Sequence, residues 1–200
     1  MKLKILIIGL VFGTHAMAGI LVDPYVGYRT GSFEVTSENT TYEFDLSGYG
    51  YGLRLGYNFL GLMAGVEYGL GSVDREYTRT GSEETYDTTQ MSAFIGYNFP
   101  LVRFWGSYYW NYKLEIPETN LTTGDYEGDK WEGNGFGLGI GFTGIPFISI
   151  NLEYKRIEIE ELTYYSSSRG ATRTVNYPTS DTTKPEIDEF FLSVSVPFDF

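Results

Sequence analysis

The chain has 200 residues and no cysteine, and its 26 acidic and 14 basic residues give a formal net charge of −12. Without cysteine there is no disulfide scaffold, no thiolate metal site and no lipid-modified cysteine. The acidic balance argues against nucleic acid as a partner, because binding nucleic acid requires a basic surface.

The N-terminal segment has the features of an export signal. Two lysines precede an apolar run from Ile5 to Phe12, and a small-x-small cleavage site follows at Ala16-Met17-Ala18. The run is far shorter than the roughly 20 apolar residues of a membrane-spanning helix. We therefore predict a cleaved signal peptide at residues 1–18 and one domain at residues 19–200.

Beyond the signal, the chain alternates between large apolar side chains and small or polar ones. The clearest segment runs from Gly48 to Tyr57, where odd positions are apolar or aromatic and even positions are glycine or arginine. Successive side chains on a strand point to opposite faces, so this pattern predicts a strand with one apolar face. Eight such segments follow one another at residues 22–29, 48–57, 62–71, 90–97, 102–113, 135–142, 148–155 and 191–200.

Rows of glycine on the small face distinguish a membrane barrel from a soluble β-sandwich. Glycine weakens an ordinary solvated strand, whereas the interior of an eight-stranded barrel is only just wide enough for side chains. The pattern therefore predicts apolar rows that face lipid, with small and charged rows inside. Aromatic residues near strand ends predict girdles at the lipid–water interfaces, namely Tyr25, Tyr28, Tyr49, Tyr57, Tyr68, Tyr97, Trp110, Tyr112 and Tyr154.

The links between these segments alternate in length. Short turns are expected near residues 58–61, 99–101 and 143–146, and long links at 34–45, 73–88, 115–133 and 158–186. Outer-membrane barrels have short periplasmic turns and long extracellular loops. The predicted fold is thus all-β, an eight-stranded antiparallel up-and-down transmembrane β-barrel.

The eight alternating strands and the final segment, Leu192 to Phe200, resemble the small outer-membrane β-barrels of the OmpA/OmpX type. The resemblance implies a stand-alone barrel in the outer membrane of a Gram-negative bacterium, in contact with outer-membrane lipid and lipopolysaccharide. It also implies that the C-terminal strand is recognised by the barrel-assembly machinery, through Val194, Val196, Phe198 and Phe200. Pro197 departs from the pattern and is expected near a barrel end, because proline cannot donate a ladder hydrogen bond.

Charged residues on the inward register predict a network inside the barrel. Arg54 and Glu67 lie on neighbouring strands at similar distances from their shared turn, which favours a cross-strand pair. The predicted network consists of Arg29, Arg54, Glu67, Arg103, Glu153 and Lys155; Asp23, Lys113 and Asp199 are also assigned to the inward face. A static plug of ion pairs is favoured over a gate whose charges exchange partners, because so narrow an interior is normally filled.

The inventory of reactive residues argues against an enzyme. The only histidine, His15, lies inside the predicted signal, so no serine–histidine or cysteine–histidine pair is possible. Adjacent acids such as Glu83-Glu84 and Glu160-Glu161 are typical of solvated loops. The acids Asp125, Glu127, Asp129 and Glu132 lack the spacing of an EF-hand. No catalytic residue, metal site or cofactor is predicted.

Three functions remain compatible with the sequence. The favoured one is a structural or surface-interaction barrel, whose acidic extracellular loops contact an unidentified extracellular ligand. A narrow channel for small or hydrophobic solutes is the first alternative. A soluble lipocalin-like carrier is the second, and it would require an apolar interior and a wet exterior, the reverse of the predicted orientation.

Overall fold

The computed structural model describes residues 19–38, 40–77, 83–117, 129–166 and 171–200. Within these residues the chain forms strands β1 (Gly19–Ser37), β2 (Thr40–Phe59), β3 (Leu62–Tyr77), β4 (Glu83–Asn98), β5 (Val102–Glu115), β6 (Lys130–Ile145), β7 (Ile148–Ser166), β8 (Ala171–Asn176), β9 (Glu186–Ser195) and β10 (Phe198–Asp199). No helix in this part of the chain has the length and apolar character needed to cross a membrane.

The strands close into a single ring. Each of β1 to β7 pairs antiparallel with the next, and β9 closes the ring by pairing with both β7 and β1. The short strand β8 continues along the far end of β7, and β10 continues along the start of β1. Together β8, β9 and β10 form the eighth strand of the ring, which is interrupted in two places. The predicted eight-stranded antiparallel barrel is therefore confirmed.

The side chains point as the alternation predicts. Tyr51, Val66 and Leu138 are 50%, 51% and 70% exposed on the outside, whereas Arg54 and Glu67 are each 3% exposed inside. The outward-facing apolar residues form a continuous surface around the barrel, which we call the apolar belt. A lipocalin-like carrier needs the opposite orientation, so that alternative is wrong.

The strands continue well past the apolar belt at one end, and here the predicted links were too long. On β1 the outward side chains change from Val26 and Tyr28 to Ser32 and Glu34, yet the strand persists to Ser37. Above the belt the alternation is reversed, because water replaces lipid on the outside while Phe33 and Val35 pack inside the barrel. Similarly, most of the predicted link at 158–186 is the upper part of β7 and strand β8.

A β-bulge in β5 changes which residues face inward. Near Trp110 the ladder to β4 shifts by one residue, and beyond it the side chains exchange faces. Tyr112, predicted in the outer girdle, is therefore buried inside, and Lys113, predicted inside, lies on the outer surface. There its Nζ is 3.1 Å from Glu132. Both predictions were wrong because a bulge reverses the two-residue period.

The interior is filled in layers along the barrel axis. Near the short turns lies a small apolar cluster of Leu21, Met63, Phe94 and Trp105. Toward the long hairpins lies a larger group, the apolar plug, which consists of Phe33, Leu46, Val73, Tyr86, Tyr109, Tyr112, Leu114, Ile157, Ile159 and Ile187. The buried charged residues lie beside and between these clusters: Arg103 precedes Trp105 on β5, whereas Arg29 lies between Leu21 and Phe33 on β1.

Candidate functional site

Arg54 lies at the centre of the charged layer. Its Nε donates to Glu67 at 2.7 Å and its Nη2 donates to Glu153 at 3.0 Å, while Nη1 lies 3.6 Å from Asp23. Arg54 and Glu67 are directly opposite each other in the β2–β3 ladder, as their distances from the shared turn predict. The guanidinium also stacks on Tyr25 and Trp105, with its carbon 4.7 and 4.8 Å from the ring centroids.

Arg103 forms a second centre next to the first. Its Nη2 is 2.8 Å from Asp23 and also donates to Asn151 at 2.8 Å and to Ser195 at 2.9 Å. Asp23 is therefore shared by the two arginines. A guanidinium carries five N–H donors in one plane, so one arginine can serve several acceptors on different strands.

A third centre forms around Glu189, on β9. Lys155 Nζ lies 3.1 Å from this carboxylate, Arg29 Nη1 lies 3.5 Å from it, and Tyr112 donates to it at 3.1 Å. Lys155 also donates to Gln90 at 3.0 Å. The sequence reasoning missed Glu189 because the last segment was started at Phe191. Extending the two-residue period back from Phe191 would have found it.

Two tyrosines donate to carboxylates of the first centre, and Gln90 connects that centre to Lys155 of the third. Tyr25 donates to Glu67 at 2.9 Å, and Tyr109 donates to Glu153. Gln90 donates to Glu67 at 2.8 Å from the neighbouring strand. Tyr25 was predicted in the interfacial girdle, but its ring is buried in the interior, so that prediction was wrong.

We call the buried charged residues of these three centres the charge layer, and their positive and negative charges are equal in number. Its four cations are Arg29, Arg54, Arg103 and Lys155, and its four carboxylates are Asp23, Glu67, Glu153 and Glu189. The structure brings together all six residues predicted for the network. Each buried charge has an opposite charge within 4 Å, and most are also hydrogen-bonded, whereas the carboxylate of Asp23 is held by ion pairs alone.

Outside, above the apolar belt, the strands carry mainly acidic side chains. We call this surface the acidic collar; its outward-facing acids include Glu34, Glu43, Asp45, Asp74, Glu76, Asp87, Glu158, Glu186 and Asp188. Four of them are in register across four adjacent strands, in the order Glu158, Glu186, Glu34 and Glu43. This glutamate row places like charges directly opposite one another, an arrangement that destabilises a sheet.

Basic residues of the collar pair with some of these acids. Arg156 pairs with Glu186, and Lys184 Nζ lies 3.3 Å from both Glu158 and Glu160. The hydrogen bonds to these two glutamates raise the pKa of the Lys184 amine. Glu158 and Glu186 of the glutamate row are thereby paired within the chain, whereas Glu34 forms no ion pair among the described residues.

A second group of paired charges lies on β5 and β6. Lys130 and Lys113 both approach Glu132, at 2.9 and 3.1 Å. Partial burial favours the neutral acid, but hydrogen bonds from the two lysines outweigh it and hold the pKa of Glu132 below its ordinary value. Glu132 was considered as part of an acidic cluster with Asp125 and Glu127, which lie outside the described residues. Within the part described, no group of acids is arranged to hold a metal ion.

The C-terminal residues pair with β1 in the closing strand of the ring. Val194 faces outward on β9, and Phe198 pairs in register with Val22. The rings of Phe198 and Phe200 stack at 6.1 Å, and the backbone of Phe200 exchanges hydrogen bonds with Ile20. Pro197 falls in the break between β9 and β10, next to the half-buried Val196. Asp199, assigned to the inward register, is exposed at this rim.

A closed antiparallel ring with an apolar outer belt and a charged interior defines a transmembrane β-barrel. Over residues 5–198 the chain matches the family model described as outer membrane protein beta-barrel domain, and it belongs to that family. It is therefore an outer-membrane barrel, with its short turns on the periplasmic side and its long hairpins outside. No curated protein sequence matches the chain.

Solved structures with the same fold have very different sequences. Ail, the attachment invasion locus protein of Yersinia pestis, crystallised with the heparin analogue sucrose octasulfate, gives a TM-score of 0.52 at 15% identity, covering 90% of this chain and 99% of Ail. Neisserial surface protein A gives 0.52 at 13% identity, covering 91% and 99%. AlkL, an outer membrane protein solved in lipid bilayers, gives 0.50 at 12% identity, covering 91% of each chain. These similarities show the fold alone.

Proposed function

We propose that this barrel is a surface-interaction protein that binds positively charged partners through its acidic collar. The observation that carries this proposal is the filled interior. Among the described residues, the side chains of the charge layer and of the apolar plug fill successive levels of the barrel, which argues against a path for a solute through the lumen. The charge layer is on this view a static plug. The large surface available for contact is the part of the strands that rises above the apolar belt.

The charge of the collar defines the class of partner. Within the glutamate row, Glu34 faces like charges on both sides and has no cation of its own among the described residues, which is unfavourable for the isolated barrel. A cationic partner removes this repulsion and is attracted over a distance of roughly 10 Å at 0.1 M salt. Ail was crystallised with a sulfated sugar, which is an anion. We propose the opposite preference for this chain.

Binding to outer-membrane vesicles that display the protein tests this proposal. The probes are a fluorescent lysine-rich peptide and heparin, and vesicles without the protein give the background. The combined variant Glu34→Gln and Glu186→Gln is compared with Asp199→Asn, which removes an exposed acid at the periplasmic rim. We expect the peptide to bind wild-type and Asp199→Asn vesicles and to bind the collar variant several-fold more weakly, with all binding reduced at high salt. Equal binding to the two variants, or stronger binding of heparin, would contradict the proposal.

We propose further that residues 1–18 are removed as a signal peptide and that Val194, Val196, Phe198 and Phe200 are read by the barrel-assembly machinery. The support is the N-terminal pattern and the alternating apolar C-terminal strand. N-terminal sequencing of the membrane form is expected to begin at Gly19. Removal of Phe200 is expected to lower the amount of folded barrel in the outer membrane, whereas Asp199→Asn leaves it unchanged.

A further inference from the structure

A groove interrupts the apolar belt on the outer wall between β4 and β7. It has a volume of about 620 Å³. Its walls are apolar and include Ile95, Tyr108, Phe136 and Leu138, and its floor lies at Gly106. All of these wall residues are exposed on the surface that meets lipid.

The groove exists because Gly106 has no side chain. A Cβ atom at this position would meet nothing closer than Leu138 Cδ2, at 3.7 Å, which is an ordinary contact. At every other glycine that the structure describes, a Cβ atom would come within 3.1 Å of a neighbour. Packing therefore explains those glycines but not Gly106. Ala93, the outward residue one step along on β4, keeps the adjoining part of the groove open.

The ladder gives the direction of the groove. Ala93 is in register with Tyr108, Tyr108 with Phe136, and Phe136 with Arg156. Arg156 is the first outward-facing charge above the belt on β7, so this row climbs from the middle of the belt on β4 to its extracellular edge. The groove thus runs obliquely across the apolar belt and ends beside Arg156, at the level of the outer leaflet.

We propose that this groove binds one acyl chain of a lipopolysaccharide molecule, with the phosphorylated headgroup at Arg156. The groove is continuous with the lipid-facing belt, so the molecule that covers it is a lipid. Lipopolysaccharide is the lipid of the outer leaflet, and it carries phosphate next to its acyl chains. Arg156 pairs with Glu186 through Nη2 and lies in register with Asp188, yet its side chain is 54% exposed, which leaves other N–H donors for a phosphate.

Native mass spectrometry tests the proposal on protein reconstituted in bilayers that contain lipopolysaccharide and then released in mild detergent. Gly106→Leu fills the groove from β5, and Ala93→Leu independently fills its adjoining part from β4. Ala64→Leu is the matched control, because Ala64 is an exposed belt residue on β3 and does not line the groove. Displacing a few methylene groups of the chain corresponds to about a tenfold loss of affinity.

We expect wild-type and Ala64→Leu protein to retain one lipopolysaccharide molecule, and the two groove-filling variants to retain about tenfold less. Arg156→Gln is expected to weaken retention of lipopolysaccharide and not that of a lipid without phosphate. All variants are first shown to be folded by the shift in gel mobility on heating. Equal retention by wild-type and Gly106→Leu protein overturns the proposal, as does equal loss in Ala64→Leu or the recovery of a dimer joined through the groove.

Discussion

Arg54 shows how a single side chain organises the interior. Three carboxylates from three strands converge on its guanidinium, and two aromatic rings cover the faces of that group. A lysine in its place would present one small charge and could not satisfy donors in three directions at once. The arrangement depends on contacts between β1, β2, β3 and β7, which the closed ring brings to one level.

Replacing Arg54 should be much more damaging than replacing an exposed arginine. The variant Arg54→Leu leaves Glu67, Glu153 and Asp23 close together in a buried site, and we expect it to lower the free energy of unfolding by about 3–5 kcal/mol. Arg156→Leu removes an exposed pair and should change the free energy by less than about 1 kcal/mol. Urea unfolding of the reconstituted barrel measures both values. Equal losses in the two variants would show that the charge layer does not stabilise the fold.

Individual residues also show where sequence reasoning succeeded. The pairing of Arg54 with Glu67 followed from the two-residue period and a shared turn, since both quantities can be counted along the chain. Glu189 was missed at the end of a segment, and Tyr25 was placed in the girdle although its register pointed inward. Its ring is inside because Glu67 and Gln90 offer hydrogen-bond partners there. Partners on distant strands cannot be counted from the sequence.

At the scale of strands, the bulge at Trp110 divides β5 into two parts of opposite phase. Below it, Phe104 and Tyr108 face lipid, and above it Tyr112 and Leu114 face inward. The upper part of β5 thereby contributes two large side chains to the apolar plug. A strand of uniform alternation would have sent Lys113 inward instead.

Deleting Trp110 should be tolerated. Removal of the extra residue restores regular alternation while Tyr109 and Tyr112 stay inside. Deleting Phe104, in the regular part of the same strand, shifts the residues on one side of the deletion to the wrong face. We expect a heat-dependent gel shift for the first variant and its loss for the second. Loss of folding in both would mean that the bulge itself is required.

The fold class and the number of strands could be predicted, whereas the upper limits of the strands could not. The two-residue alternation was clear from Gly48 to Tyr57, because one face of this segment meets lipid and the other meets a crowded interior. Above the belt, the outward face of β1 turns polar and the inward face turns apolar, so the alternation from Ser32 to Thr36 has the opposite phase to that from Val22 to Arg29. Backbone hydrogen bonding continues to Ser37, but a search for a single phase of alternation ends the strand near Arg29.

Neutralising the glutamate row should stabilise the barrel while weakening its proposed binding. Each like-charge pair in register is worth roughly 0.2–1 kcal/mol, so Glu34→Gln, which faces Glu186 and Glu43, should raise the free energy of unfolding by an amount in that range. Urea unfolding at low salt checks the sign, and high salt should reduce the difference. Asp199→Asn has no opposing acid in register and serves as the reference. A stability loss in Glu34→Gln would indicate that the row holds the collar together.

The whole molecule consists of two parts stacked along one axis. The lower part carries the apolar belt outside and the charge layer inside, and the upper part carries the acidic collar outside and the apolar plug inside. Polarity is therefore exchanged between the two faces at the level where the strands leave the membrane. The upper part has the organisation of a water-soluble barrel, which allows the strands to continue without lipid.

Two successive layers close the lumen, so opening one of them should not be enough to conduct ions. Single-channel recordings in planar bilayers should be silent for the wild-type protein and also for Arg54→Ala, because the apolar plug still blocks the path above the charge layer. Adding Phe33→Ala and Ile159→Ala to Arg54→Ala removes side chains from the plug as well, and currents are expected only in this combination. Currents from Arg54→Ala alone would show that the charge layer is the sole barrier. In that case a narrow channel would become the better proposal for the function of the barrel, because the lumen would then be closed only by ion pairs that can exchange partners.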